Sequence, residues 1–286
     1  MENATQYINI RGGLMSLSRP LVMGIVNVTD DSFYSGSRTF SQEEIAGRVR
    51  RLVAEGADIL DVGGYSSRPG APEVSPEEEY RRLALGLETI AREAPETPVS
   101  IDTFRADVAA RCAADFRVDM INDISGGDLD PEMWPTVARL KIPYIVMHTR
   151  GNPETMQSLT DYDDVTAEVL TDLSRKVREL HLMGVNDVII DPGFGFAKTL
   201  DQNYQLLAEM SSLRSIGVPI LVGISRKSMI YKELGITPEE SLNGTTAVNT
   251  LALAAGADIL RVHDVRQAVE AVRIYMAMRR NTPRPC

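Results

Sequence analysis

The chain has 286 residues, 43% of them hydrophobic, with 40 acidic and 30 basic side chains and a formal net charge of −10. No block of Lys and Arg offers a phosphate-backbone footprint, which argues against a general nucleic-acid binder, and Cys112 and Cys286 alone cannot build a disulfide framework or a thiolate metal site. No apolar run approaches the roughly 18 residues of a membrane span, and residues 1–6 hold no charged segment leading into an apolar one, so a cytoplasmic protein without a signal peptide is expected.

Residues 7–17 alternate apolar positions around Gly12-Gly13 and predict a small hairpin. One pattern then recurs. Short apolar runs at 21–27, 59–62, 99–102, 119–122, 144–148, 188–191, 220–223 and 259–262 read as buried strands. Between and after them, 42–55, 76–93, 105–114, 131–140, 165–183, 201–210, 239–255 and 265–278 carry helical periodicity. Gly56-Ala-Asp-Ile-Leu60 returns verbatim as Gly256-Ala-Asp-Ile-Leu260, each time where a helix gives way to a strand. Eight alternating units on this length predict a (β/α)8 barrel in one domain, with 279–286 expected as a disordered tail. No Gly-x-Gly-x-x-Gly follows the first strand, which counts against a dinucleotide-binding sheet.

In such a barrel the active site sits where strands end. Those positions here are Asn27, Asp61 with Gly63-Gly64, Asp102, Asn122, His148, Asp191, Lys227, and Arg261 with His263. Any one of them is explained as a turn or helix cap; eight together are not. Asp102, Asn122 and Asp191 suit a flat heterocycle presenting several N–H donors. Lys227, Arg261 and His263 form a cationic group, with His263 placed for anion binding two residues after Arg261. The basic knot ending 219–228 therefore poses the question of which anion or ring it serves. Two long loops, 29–39 and 63–74, are expected to act as lids for a second substrate, with Phe33, Arg68 and Pro69 offering a ring, a cation and an apolar wall.

The ordered segments Met23-Gly-Ile-Val-Asn-Val-Thr-Asp-Asp-Ser-Phe33, Asp61-Val-Gly-Gly-Tyr-Ser-Ser-Arg-Pro-Gly70, Ser100-Ile-Asp-Thr103, Ile121-Asn-Asp-Ile-Ser-Gly126, Met147-His148, Asp191-Pro-Gly-Phe-Gly-Phe-Ala-Lys-Thr199, Gly223-Ile-Ser-Arg-Lys-Ser228 and Arg261-Val-His-Asp-Val265 resemble dihydropteroate synthases of folate biosynthesis. The resemblance covers nearly the whole chain. It implies a barrel enzyme, usually a homodimer, that joins 6-hydroxymethyl-7,8-dihydropterin diphosphate to 4-aminobenzoate with Mg²⁺, and that sulfonamides inhibit. Carried over by motif, Asp102, Asn122, Asp191 and Lys227 hold the pterin. Asn27, Arg261 and His263 hold the diphosphate, with Asn27 near the metal. Phe33, Ser67, Arg68, Pro69, Phe194 and Ser228 shape the aminobenzoate pocket. The roles implied for Asp102, Lys227, Arg261 and His263 are catalytic.

The chain departs from the family pattern in two loops: Asp30 stands where Pro is usual, and Tyr65 and Ser67 stand where Glu and Thr are common. These changes bear on loop geometry and sulfonamide response and leave the pterin set intact. Two other readings share the barrel: a pterin-binding methyltransferase and a non-catalytic pterin-binding paralogue. The Ser225-Arg-Lys-Ser228 and Arg261-Val-His263 segments disfavour the first, and the intact Asp102, Lys227, Arg261 and His263 disfavour the second.

Overall fold

The computed structural model describes residues 6–28, 38–65 and 73–281. It opens with the expected antiparallel hairpin, Tyr7–Ile10 (β1) and Gly13–Ser16 (β2). There follow Leu21–Asn27 (β3), Arg38–Ala54 (α1), Ile59–Gly63 (β4), Pro76–Glu93 (α2), Val99–Asp102 (β5), Ala106–Asp115 (α3), Met120–Asp123 (β6), Met133–Leu140 (α4), Tyr144–Met147 (β7), Val165–Leu182 (α5), Val188–Asp191 (β8), Leu200–Glu209 (α6), Leu221–Val222 (β9), Ser228–Leu234 (α7), Leu242–Ala255 (α8), Ile259–Val262 (β10) and Val265–Arg280 (α9). Strands β3 to β10 pair in parallel in the order β8-β7-β6-β5-β4-β3-β10-β9, and a bridge between Ile190 and Ile220 brings the two ends together. This is the predicted (β/α)8 barrel.

Apart from shifts of a few residues at element ends, such as α1 starting at Arg38 within the expected first loop, two differences stand out. Helix α7 was not legible as a helix, because seven residues give too few turns for a period to show. At the C-terminus α9 continues to Arg280, so residues 279 and 280 are helical rather than part of a tail, and 282–286 lie outside the described residues.

Strand alternation sorts the side chains. Leu21, Met23, Ile59, Met120, Ile145, Ile189, Leu221 and Ile259 fill the lower barrel interior, and Ile8 and Ile10 of the hairpin close it from below. Their strand neighbours, among them Val22, Leu60, Ile121, Val146, Ile190, Val222 and Leu260, pack outward against the helices. Continuing the same alternation upward, the inward positions become Asp61, Ser100, Asp102, Asn122, Asp191 and Arg261. The interior is thus apolar at its N-terminal end and polar at the end where barrel enzymes work.

The repeated Gly-Ala-Asp-Ile-Leu has one structural job at both places. Gly56 and Gly256 end α1 and α8 with φ of +98° and +107°. Asp58 and Asp258 then each accept the backbone N–H of a neighbouring strand's first residues, Val22 and Ile220, at 2.9 Å through the carboxylate. Each also donates its own N–H back to that residue's carbonyl at 2.8 Å. Asp119 does the same with Val99, at the same distances. Arg11 of the hairpin turn clasps Asp119 with two bonds of 2.8 and 2.7 Å, which fastens the plug to the barrel floor.

Candidate active site

The polar upper layer is organised on Arg261, which β10 points into the barrel. Its Nε donates to Asp61 at 2.6 Å and its Nη2 to Asp102 at 2.7 Å. Asn122 donates to the same Asp61 oxygen at 3.2 Å. Register explains the grouping: Gly63, Asp102 and Asn122 are direct partners across β4, β5 and β6, and Asn27 pairs with Gly63 from β3. A Cβ added to Gly63 would lie 3.7 Å from both Asn27 Oδ1 and Asp102 Cβ. On the far side Gly223 has Arg261 and an Asp191 oxygen each 3.9 Å from where its Cβ would be. Glycine at these two inward positions leaves the mouth open between the polar groups.

Burial sets the protonation of this layer. It pushes the Asp102 carboxyl up to about 7; Arg261 pulls it down and Asp61 pushes it further up. Asp191 is raised for the same reason, although Lys227 and the Gly193 N–H, at 2.8 Å, favour its ionised form. Lys227 is lowered to about 8 by burial, with Asp191 working in the opposite direction. Its ammonium donates to the Phe194 carbonyl at 2.6 Å and lies 4.5 Å from the centre of the Phe196 ring. Such perturbed groups gathered in one mouth mark it as the candidate site.

His263 and Asn27 stand at one flank, where a cavity of about 510 Å³ is lined also by Arg48, Arg51, Arg226 and Asp264. The expectation of a cationic His263 needs correction: burial first, then Arg261 and Arg48, push it down to about 4, so it is neutral at pH 7. A neutral imidazole still offers one N–H to an anion, and its Nδ1 lies 3.1 Å from Ser225 Oγ. Arg226, the other cation of the basic knot, borders this cavity but spends its donors on the protein. It forks onto Asp264 at 2.8 and 2.9 Å and donates to the Pro238 and Glu239 carbonyls, tying the loop after β9 to the loop after β10.

The loop after β8 moves one expected residue. Gly193 and Gly195 have φ of +72° and +80°, and the chain reverses so tightly that a Cβ on Gly193 would sit 1.9 Å from the His148 carbonyl oxygen. The reversal sends Phe194 into the core, where it is fully buried, so its ring has no open face for a ligand. Phe196, half-buried, is the phenylalanine of this loop that lies beside Lys227. His148, picked out as a strand end, is a buried acceptor: Lys198 donates to its Nδ1 at 3.1 Å and to the Gly193 and Phe196 carbonyls. Burial and the Lys198 charge hold His148 down at about 2, and Lys198 occupies its Nδ1.

The model for the family "Pterin binding enzyme" matches residues 23–263. A dihydropteroate synthase from Synechocystis is 44% identical over 91% of this chain and 90% of its own. The chain belongs to the dihydropteroate synthase family. Among solved structures of that family, the Xanthomonas albilineans enzyme with 4-aminobenzoic acid superposes with a TM-score of 0.89 at 39% identity, covering 98% of this chain and all of the other. The Yersinia pestis enzyme in complex with a sulfonamide drug gives 0.89 at 38%, covering 96% of this chain and all of the other.

Within the dihydropteroate synthase pattern, the departure at Tyr65 has a structural place. Its ring packs edge-on against Phe104 with centroids 5.2 Å apart, and the Arg105 guanidinium lies 5.0 Å from Phe104 and 5.6 Å from Tyr65. Arg105 pairs with the buried Glu79, which also accepts from Thr103 at 2.6 Å. The second loop is therefore rooted on an aromatic and cationic stack. Phe33, Ser67, Arg68, Pro69 and the Asp30 departure lie outside the described residues, as does most of both expected lids. Ser228 opens α7 directly after Lys227 and is half-buried at the mouth. Asp61 was picked out as a strand end but given no role there; it is fully buried on the inward face, one layer below Asp102.

Proposed function

We propose that the chain condenses 6-hydroxymethyl-7,8-dihydropterin diphosphate with 4-aminobenzoate to give 7,8-dihydropteroate and pyrophosphate. The observation that carries this reading is the division of one barrel mouth into an acceptor-rich half and a cationic half that meet at Arg261. Asp102, Asn122 and Asp191 supply the carboxylates and amide for the pterin ring's N–H edge, and Lys227 donates to it. Arg261, the His263 N–H and Asn27 receive the diphosphate, beside a cavity that Arg48 and Arg51 make electropositive. Phe196, Ser228 and the second-loop residues Ser67, Arg68 and Pro69, with Phe33 of the first loop, border the aminobenzoate; sulfonamides occupy the same place.

Mg²⁺ fits this donor set as a guest of the substrate. Among the described residues no group of three or more His, Cys, Asp or Glu side chains is placed to cage a cation. The exposed Asn27 amide oxygen would supply one hard ligand, with the diphosphate oxygens as the other donors. When bound, the ion neutralises phosphate charge.

The residues favour a dissociative order. The bond from the pterin's exocyclic carbon to the diphosphate oxygen breaks first, and its electron pair leaves on the diphosphate, whose charge Arg261 balances. Positive charge then spreads over the pterin ring, facing ionised Asp102. The neutral aminobenzoate nitrogen donates its lone pair to the carbon and afterwards loses a proton to solvent. Crystals soaked with the pterin substrate alone test this: separated pyrophosphate and pterin are expected, and a diphosphate that stays attached throughout contradicts the order.

The assembly is read as a homodimer. Leu234 on α7, Leu251 on α8 and Ile274 on α9 are 53%, 57% and 69% exposed on neighbouring helices, an apolar surface that a second copy of the chain would cover. No described helix is long and apolar enough to cross a membrane, and a cytoplasmic location fits the small polar substrates.

A further inference from the structure

Asp61 is completely buried on β4, one inward position below the layer that meets the ligands. Its Oδ2 accepts from Arg261 Nε at 2.6 Å and from Asn122 Nδ2 at 3.2 Å. Its Oδ1 has no donor, and neither Oδ1 nor the Oγ of Ser100, its register partner on β5, is hydrogen-bonded among the described residues. Just beneath lies the wholly apolar layer of Met23, Ile59, Met120 and Ile189. Stability does not account for such a group. A buried polar atom without a partner costs the fold stability, and a well-packed apolar replacement of a buried ion pair is often neutral or stabilising.

What Asp61 touches is informative. It holds one residue from each half of the proposed site: Arg261 on the diphosphate side and Asn122 on the pterin side. Arg261 also carries a second carboxylate, Asp102, on a different nitrogen. One guanidinium charge therefore serves two carboxylates, and only one of them reaches the mouth. Asp102 is partly exposed there, whereas Asp61 is sealed beneath it. Without the Asp61 carboxylate, Arg261 would lean on Asp102 and would compete with the pterin for it. With Asp61 held at Nε, Nη2 can exchange Asp102 for the leaving group without leaving the guanidinium unpaired, and Asp102 is released to the ring.

We propose that Asp61 is a positioning residue of the condensation, a fixed pivot that aligns Arg261 and Asn122 and frees Asp102 for the pterin. This rests on the activity proposed above. The test is a double-mutant cycle on kcat/KM for the pterin diphosphate, read by single-turnover rates, with Asp61→Asn, Arg261→Gln and the pair. Asp61→Asn alone is expected to lose on the order of 10²-fold, with the KM for 4-aminobenzoate and the melting temperature close to wild type. In the Arg261→Gln background the same change is expected to cost little more, because the group it positions is gone. Wild-type kinetics for Asp61→Asn, or an equal loss in both backgrounds, overturns the assignment. Should Asp61→Asn not fold, Asp61→Ser carries the same readings; if neither folds, Asp61 is structural and the assignment is again overturned. Turnover by the wild type separates the two failures: an inactive wild type strikes the proposed activity, while an active wild type with an unimpaired Asp61→Asn strikes this inference alone.

Discussion

Lys227 and Asp102 divide the proposed chemistry between a donor and an acceptor, and burial has moved both towards neutrality in the same narrow range. The sign of each limb follows. Asp102 must be ionised to face a cationic pterin, so kcat/KM for the pterin substrate rises with pH through about 7. Lys227 must be protonated to donate, so it falls through about 8. A bell with a narrow top is expected, and Lys227→Arg, which keeps its charge, should lose only the basic limb. A profile flat from about pH 6 to about pH 9 would contradict both assignments. Lys227→Ala should lower turnover on the order of 10²-fold or more without unfolding the barrel, as a paired measurement of rate and circular dichroism will show. At this scale the sequence was most readable where a residue's place at the mouth follows from standing at a strand end, as for Asp102, Asn122, Asp191 and Arg261. It was least readable where loop direction decides. Phe194 stands between two left-handed glycines and Phe196 just after them, and Arg226 and Lys227 differ only in which way the turn points them.

The hairpin and the strand-start aspartates do their work at the opposite end of the barrel. Ile8, 1% exposed, fills the floor beneath Leu21, Ile59 and Ile259. Ile8→Ala should cost roughly 2–5 kcal/mol by urea unfolding and leave kcat unchanged, since no proposed substrate contact lies below Asp61. A loss of activity at full stability would place the hairpin in the site instead. The hairpin and all eight barrel strands were visible as short apolar runs, because each must bury both faces or plug the floor. The function of the repeated Gly-Ala-Asp-Ile-Leu was hidden: the carboxylate bonds of Asp58 and Asp258 reach strands 36 and 38 residues away, and only the closed sheet brings them within range.

At the scale of the whole molecule, polarity runs along the barrel axis, from the apolar plug through Asp61 to the mouth where Arg261 joins the two halves. The outer helices add a second surface. Ile274→Lys with Leu251→Glu should turn the proposed dimer into monomers by sedimentation; a wild type that sediments as a monomer removes that part of the reading. The most direct measurement of the central claim is the product balance in one vessel containing the protein, Mg²⁺, 6-hydroxymethyl-7,8-dihydropterin diphosphate and 4-aminobenzoate. Dihydropteroate identified by mass and pyrophosphate measured alongside it are expected in equal amounts, and only when both substrates are present. Pyrophosphate without dihydropteroate, or neither product from the folded protein, would contradict it.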